Sequence, residues 1–300
     1  MSSSYNIATG IFSALGDSRT PFILLAASST ANIFVDILFV TAFRMGVSGV
    51  AWATVICQGI SCVLAVVTLT GRLRSMNDDG SDGIFSSATL KKIIRIAVPS
   101  VLQQAFISVG NIAVQGVING FGESVMAGST AALKLNAIAT SCLTADANGL
   151  STYVAQNIGA DKPERVKSGY RAALLLGAAT CLPLVICYFG FGKFFVALFM
   201  ESGSELALAT GKLFLRIVSP FYFVVMLKIM TDGVLRGAGA INHFMVSTFA
   251  DLFLRVILSM LFAKLFGSVG IWCSWPVGWT IGTLISLMFY FSGVWKRAKL

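Results

Sequence analysis

The sequence has 300 residues, of which 56% are hydrophobic and only 12% charged, with a mean hydropathy of +0.82. A soluble domain carries about 25% charged residues, so half that share excludes a chain whose surface mainly meets water and leaves lipid as its principal solvent. The net charge of +9 does not call for a nucleic-acid partner, because the basic residues fall in short clusters between apolar runs and form no face or stripe.

Residues 4–15 read as the end of a helix, and the start MSSSYNIATG has no charged segment ahead of a short apolar core, so a cleavable signal is not expected there. Nearly uninterrupted apolar stretches then follow at 22–43, 48–71, 96–119, 127–157, 165–192, 206–232, 241–264 and 270–294. Each can cross roughly 30 Å of hydrocarbon, which takes about 20 helical residues. Backbone satisfaction in lipid leaves helices as the only option at these lengths. About eight membrane-spanning helices are therefore predicted. Three prolines, Pro183, Pro220 and Pro276, fall inside them and permit kinks, either passive or serving conformational change.

Alternate loops differ in charge. One set holds Arg19; Arg72, Arg74, Lys91, Lys92 and Arg95; Lys162, Arg165, Lys167 and Arg171; Arg236; and Lys296, Arg297 and Lys299. The other holds only Arg44, Lys193, Lys212, Arg216 and Lys264. The positive-inside rule places the first set, with the C-terminus, in the cytoplasm of a multi-pass plasma (inner) membrane protein. The linker 72–92, rich in Gly, Ser and Asp, reads as a flexible cytoplasmic joint between a first part, 1–71, and a second, 93–300.

An internal repeat supports that division. GIFSALGD at 10–17 resembles GVLRGAGA at 233–240, with Gly10 and Gly16 matching Gly233 and Gly239. MGVSGVAW at 45–52 resembles FGSVGIWC at 266–273, with Gly46 and Gly49 matching Gly267 and Gly270. Parallel repeats of this kind are common in secondary transporters. Repeat arithmetic predicts roughly 130 further residues ahead of the first copy, so the 300-residue chain alone is expected to be inactive in export.

The segments YNIATGIFSALGDSRTP (5–21), IAVPSVLQQ (96–104), YVAQNIGADKPERVKSGYR (153–171), GVLRGAG (233–239) and GIWCSWPVGWTIGTLISLMFYFSGVWK (270–296) resemble the multidrug and toxic-compound extrusion (MATE) family over essentially the whole chain. AQNIGA followed by a basic amphipathic stretch is the most specific of these. The resemblance implies an all-α integral membrane protein with two six-helix lobes, of which this chain holds the last two helices of the first lobe, a stub, and the whole second lobe. It also implies efflux of organic, mostly cationic and amphipathic compounds in exchange for Na⁺ or H⁺, with no other cofactor. Membrane lipid and small organic substrates are the expected partners. A lipid-linked oligosaccharide flippase can share the architecture; cationic residues lining a central cavity would favour it, and the few intramembrane cations do not obviously form such a cluster. A non-transporting membrane scaffold is a third reading, which the repeated helix pair argues against.

Ionisable groups inside spanning helices are functional suspects. Asn32 and Asp36 stand four apart on one helical face, and Thr54 on the next helix lies at a similar depth, about 10 Å below the same surface. A carboxylate, an amide oxygen and a hydroxyl there suit Na⁺ or a proton; the alternative is bonding between helices, and for Thr54 bonding to its own backbone. The resemblance points the same way, since some members use an Asn and Asp four apart, a Thr on the next helix and an Asn on the preceding one. Asn6 matches the last, with Thr9 as a rival. The equivalent positions in the second copy are Arg255 and Ser259, facing Trp275, so ion coupling is expected in the first lobe and a second-lobe Na⁺ site is not. Asp251–Arg255 and Lys228–Asp232 read as self-neutralised i,i+4 pairs. Lys134, Asp146, Gln103 and Gln104 are substrate-path candidates, and His243 reads as an ordinary interfacial residue. The six cysteines all lie in apolar runs without metal-site spacing, and no nucleophile–base set or phosphate loop appears, so an enzyme is not expected.

Overall fold

The computed structural model describes residues 2–76, 85–200 and 204–297, and every regular element among them is helical. The chain divides into two compact units, Met1–Ser86 and Ser87–Leu300. The centre of the 72–92 joint lies outside the described residues, while its two ends are helical.

The first unit comprises α1 (Ser2–Ala14), α2 (Arg19–Thr41) and α3 (Gly46–Met76). Ala8 and Phe12 of α1 pack with Ala65 and Leu69 of α3 in a small buried cluster. The turn between α1 and α2 is held by Asp17. Its carboxylate accepts the Thr20 N–H at 3.0 Å and the Thr20 hydroxyl at 2.7 Å, and Arg72 of α3 lies 3.4 Å away. The Thr20 backbone N–H, then its hydroxyl, hold this carboxyl below its ordinary value of 3.8. Much of the rest of α2 is apolar and open, with Phe22 and Phe34 each 68% exposed. In water such a face would be a liability; against lipid tails it costs nothing.

The second unit is built from α4 (Ser87–Asn119), α5 (Glu123–Gly159), α6 (Glu164–Ala197), α7 (Glu205–Val218), α8 (Tyr222–Gly237), α9 (Ile241–Phe266), α10 (Ser268–Phe291) and a short α11 (Val294–Arg297). Seven segments among the described residues are long and apolar enough to cross a membrane. The eighth expected span corresponds to α5. It has 37 residues, ample length, but carries Lys134, Asp146 and many small polar residues. The polarity follows from its place: α5 packs on α6, α7 and α8 and buries eleven residues, among them Ala131, Ala132, Leu135, Ala139 and Leu143, so a wide stripe of it meets protein.

The apolar stretch 206–232 is two helices. A 3-10 turn over Ser219–Phe221 separates α7 from α8, and Pro220, which has no N–H to offer the ladder, sits in it. In α6 the departure from helical geometry lies at Phe191 (φ −111°, ψ 21°), between Gly190 and Gly192, eight residues beyond Pro183. The two glycines, cheap to distort, set the bend there rather than the proline.

The repeat is also conformational. Gly16 and Gly239 end their helices at φ 81° and 78°, and Gly46 and Gly267 begin theirs at 55° and 64°. Matched positions thus share a positive φ in both copies, which explains why glycine recurs at these places.

Candidate functional site

In the first unit, three side-chain atoms are buried without a hydrogen-bond partner among the described residues: Thr9 Oγ1, Asn32 Nδ2 and Asp36 Oδ1. Buried polar atoms are nearly always satisfied, so an orphaned carboxylate oxygen requires an explanation. Asn32 and Asp36 are half-buried on α2. Thr54, on α3, donates its hydroxyl to its own helix at Val50 O, 2.9 Å away, which leaves its oxygen lone pairs as the ligating capacity. Asn6 is exposed, and together with Thr9, Ser13, Ser28, Gln58 and Ser61 it lines a cavity of about 490 Å³. Asn32, Asp36 and Thr54 are not among the residues lining that space. Of the two α1 candidates, Thr9 shares the unpartnered burial of Asn32 and Asp36, whereas Asn6 does not.

The second unit holds a denser polar site, in a cavity of about 530 Å³ walled by α4, α5, α8, α9 and α10. Lys228 and Asp232, one turn apart on α8, are each 5% exposed and pair at 2.8 Å. The hydroxyls of Ser247 on α9 and Ser286 on α10 both donate to Asp232 Oδ1, at 3.0 and 2.5 Å. Asp251 of α9 reaches toward the same ammonium, 4.0 Å from Lys228 Nζ. Room for this cluster comes from α10. A Cβ on Gly282 would stand 2.7 Å from Lys228 Cε, and one on Gly278 would stand 2.8 Å from Asp251 Oδ1. A Gly-x-x-x-Gly spacing here admits charge where in many membrane helices it admits another backbone.

The Lys228–Asp232 pair is as expected, but Asp251–Arg255 is not: no ion pair joins them within 4.0 Å among the described residues. Asp251 turns to Lys228. Arg255 lies over the Trp275 ring at 4.8 Å and meets Asn111 Oδ1 at 3.5 Å, with its Nε unpartnered. The expected facing of Arg255 and Trp275 is therefore present, while Ser259 bonds its own helix at Val256 O. Two cations of the spanning helices, Lys228 and Arg255, share this second-unit cavity with Arg236 from the end of α8. Sequence spacing shows only neighbours on one helix, and these contacts depend on the mutual rotation of α8, α9 and α10. The available signal was a run of small residues four apart on α10, Gly278, Gly282 and Ser286.

Among the substrate-path candidates, Gln103 and Gln104 line this cavity, Gln103 being buried. Lys134 and Asp146 do not line it. Asp146 receives the Thr180 hydroxyl of α6 at 3.2 Å, and Lys134 is exposed. His243 stacks edge-on against Phe289 at the start of α9. The specific 153–171 segment forms the α5–α6 turn, with Asp161 at φ 55° and Lys162 N bonded to Asn157 O. Gly233 and Gly237 of the GVLRGAG motif fit α8 against the Ala147 and Ser151 carbonyls of α5.

Comparison with known proteins agrees with this architecture. The chain is 27% identical over 298 residues to the probable multidrug resistance protein YpnP of Bacillus subtilis, covering 99% of itself and 66% of that protein. It is 24% identical to the probable multidrug resistance protein NorM of Thermotoga maritima, over 97% of itself and 64% of the relative. It thus spans about two thirds of the length of these relatives. Its fold superposes with TM-score 0.88 on an outward-facing multidrug resistance MATE transporter of the MOP superfamily, at 21% identity, covering 98% of this chain and 66% of that one. The MatE family model matches residues 99–261, more than half of the sequence. The chain belongs to the MatE family of membrane transporters.

Proposed function

We propose that this protein works in secondary active efflux, exchanging Na⁺ or H⁺ for organic, mostly cationic and amphipathic compounds by alternating access in the plasma membrane. The observation that carries the coupling half of this reading is the buried, unpartnered Asp36 Oδ1, one turn from Asn32, whose amide nitrogen is likewise unpartnered. A carboxylate in that setting gains from a proton or from Na⁺, and it changes its net charge as the ion comes and goes. Asn32, Asp36 and Thr54 form the coupling group, with Thr9 or Asn6 from α1 as the further ligand. The loop charges support a cytoplasmic C-terminus and a cytoplasmic 72–92 joint.

A lipid-linked oligosaccharide flippase of related architecture is the second reading, and one observation favours it: Lys228, Arg236 and Arg255 on one cavity. The test is transport by the native gene product in proteoliposomes with an imposed Na⁺ or proton gradient. Gradient-driven ethidium efflux is expected. Absence of efflux under both gradients, with uptake of a lipid-linked oligosaccharide instead, would replace this reading with the flippase.

A further inference from the structure

The second-unit cavity is lined by three cations, Lys228, Arg236 and Arg255, and two carboxylates, Asp232 and Asp251, which leaves one positive charge in excess. Two of the cations already hold a short polar contact. Lys228 is held by Asp232 at 2.8 Å with Asp251 behind it, and Arg236 donates to Asn148 Oδ1 at 2.7 Å. Arg255 is not matched. Among the described residues its five N–H donors find one long contact, 3.5 Å to Asn111, and its Nε has no acceptor. One face of its guanidinium is covered by the Trp275 ring, which attracts the charge but accepts no in-plane hydrogen bond.

Asp251 is the obvious internal acceptor, four residues away, yet it is directed to α10 and Lys228. Its spare Oδ1 is enclosed against Gly278, out of reach of a bulky ligand cation, whereas Arg255 is only half-buried. Trp275 stands edge to face with Trp279, centroids 5.8 Å apart, and the two indoles line the cavity together with Arg255. The cavity volume lies within the range of about 300–1,000 Å³ typical of small-molecule sites.

We infer that this cavity receives an aromatic organic anion, its carboxylate, sulfonate or phosphate taken by the Arg255 fork and its ring by the Trp275–Trp279 wall. A guanidinium fork matches two oxygens of such a group, with a geometry no single ammonium offers. The inference goes beyond the exchange reading, since it adds anionic compounds to the cationic class and stands on second-unit geometry alone.

The test is equilibrium titration of the protein in neutral phosphatidylcholine nanodiscs, with no gradient imposed, so a failure of coupled transport does not bear on it. The probes are 2-naphthalenesulfonate and the size-matched cation 2-naphthylmethylammonium. Arg255→Gln should remove about tenfold or more of the sulfonate affinity and leave the ammonium affinity unchanged. Asp251→Asn, which deletes a nearby negative charge, should tighten the sulfonate. An unchanged sulfonate affinity in Arg255→Gln would overturn the assignment, as would a loss of ammonium affinity as large as that of the sulfonate. Should Arg255→Gln fail to fold, Asp251→Asn decides: unchanged or weaker sulfonate binding overturns the proposal.

Discussion

Replacing Lys228 by Met removes one charge and little volume, and it leaves Asp232 and Asp251 buried side by side without their common cation. At 2.8 Å the Lys228–Asp232 attraction amounts to about 6 kcal/mol for an effective dielectric constant of about 20. Most of that offsets desolvation while the pair is intact. Once the cation is gone the carboxylate desolvation remains, and breaking such a pair costs about 3–5 kcal/mol. Ser247 and Ser286 still donate to Asp232, which keeps the loss from exceeding that range. For a unit of this size, each kcal/mol moves the midpoint by roughly 2–4 °C, so unfolding of the second unit should shift down by roughly 6–20 °C. Tryptophan fluorescence during heating in detergent reports it, because Trp275 and Trp279 line the same cavity. A midpoint within about 2 °C of wild type would refute the idea that Lys228 holds the cluster together.

The matched glycines of the repeat should respond with opposite signs. A Cβ at Gly233 would meet the Ala147 carbonyl oxygen at 2.9 Å, so Gly233→Ala should destabilise by about 1–3 kcal/mol in the same melting assay. Gly10, its counterpart on α1, has nothing within 4 Å of the same position, and Gly10→Ala should be neutral or gain up to about 1 kcal/mol from helix propensity. At the α1–α2 turn, the ¹³C titration of the Asp17 carboxyl should show a midpoint below 3.8. Since the folded value is depressed, the turn is stabilised above the unfolded pKa and loses that contribution as pH falls through the folded one. A midpoint at or above 3.8 would remove the role assigned to Thr20, and one unchanged in Thr20→Val would remove the part assigned to its hydroxyl.

The spans, the division near residues 72–92 and the repeated turns are legible in the sequence because each depends on a local property. Lipid demands unbroken apolar length, and a positive φ favours glycine at Gly16, Gly46, Gly239 and Gly267. The second-unit cluster is less legible because it depends on three helices at once. Spacing on α9 pairs Asp251 with Arg255, whereas packing turns Asp251 to Lys228 on α8 and leaves Arg255 to Trp275 on α10. The Phe191 bend shows the same limit, since glycines on either side outweigh the proline that marks the helix in sequence. Asn32 and Asp36 were readable because a helix puts positions four apart on one face, but only burial shows that both carry atoms without partners.

Coupling at Asp36 is tested most directly by gradient-driven ethidium efflux from proteoliposomes containing the native gene product with Asp36→Asn, at matched protein content. The amide keeps the shape and hydrogen-bonding capacity of the carboxyl but cannot become an anion, so it neither attracts Na⁺ as strongly nor releases a proton. Efflux should fall at least about tenfold, the effect of losing roughly 1.4 kcal/mol from a driven step, while ethidium binding in the absence of a gradient stays intact. Efflux at the wild-type rate, under both Na⁺ and proton gradients, would contradict the assignment of Asp36 as the coupling carboxylate.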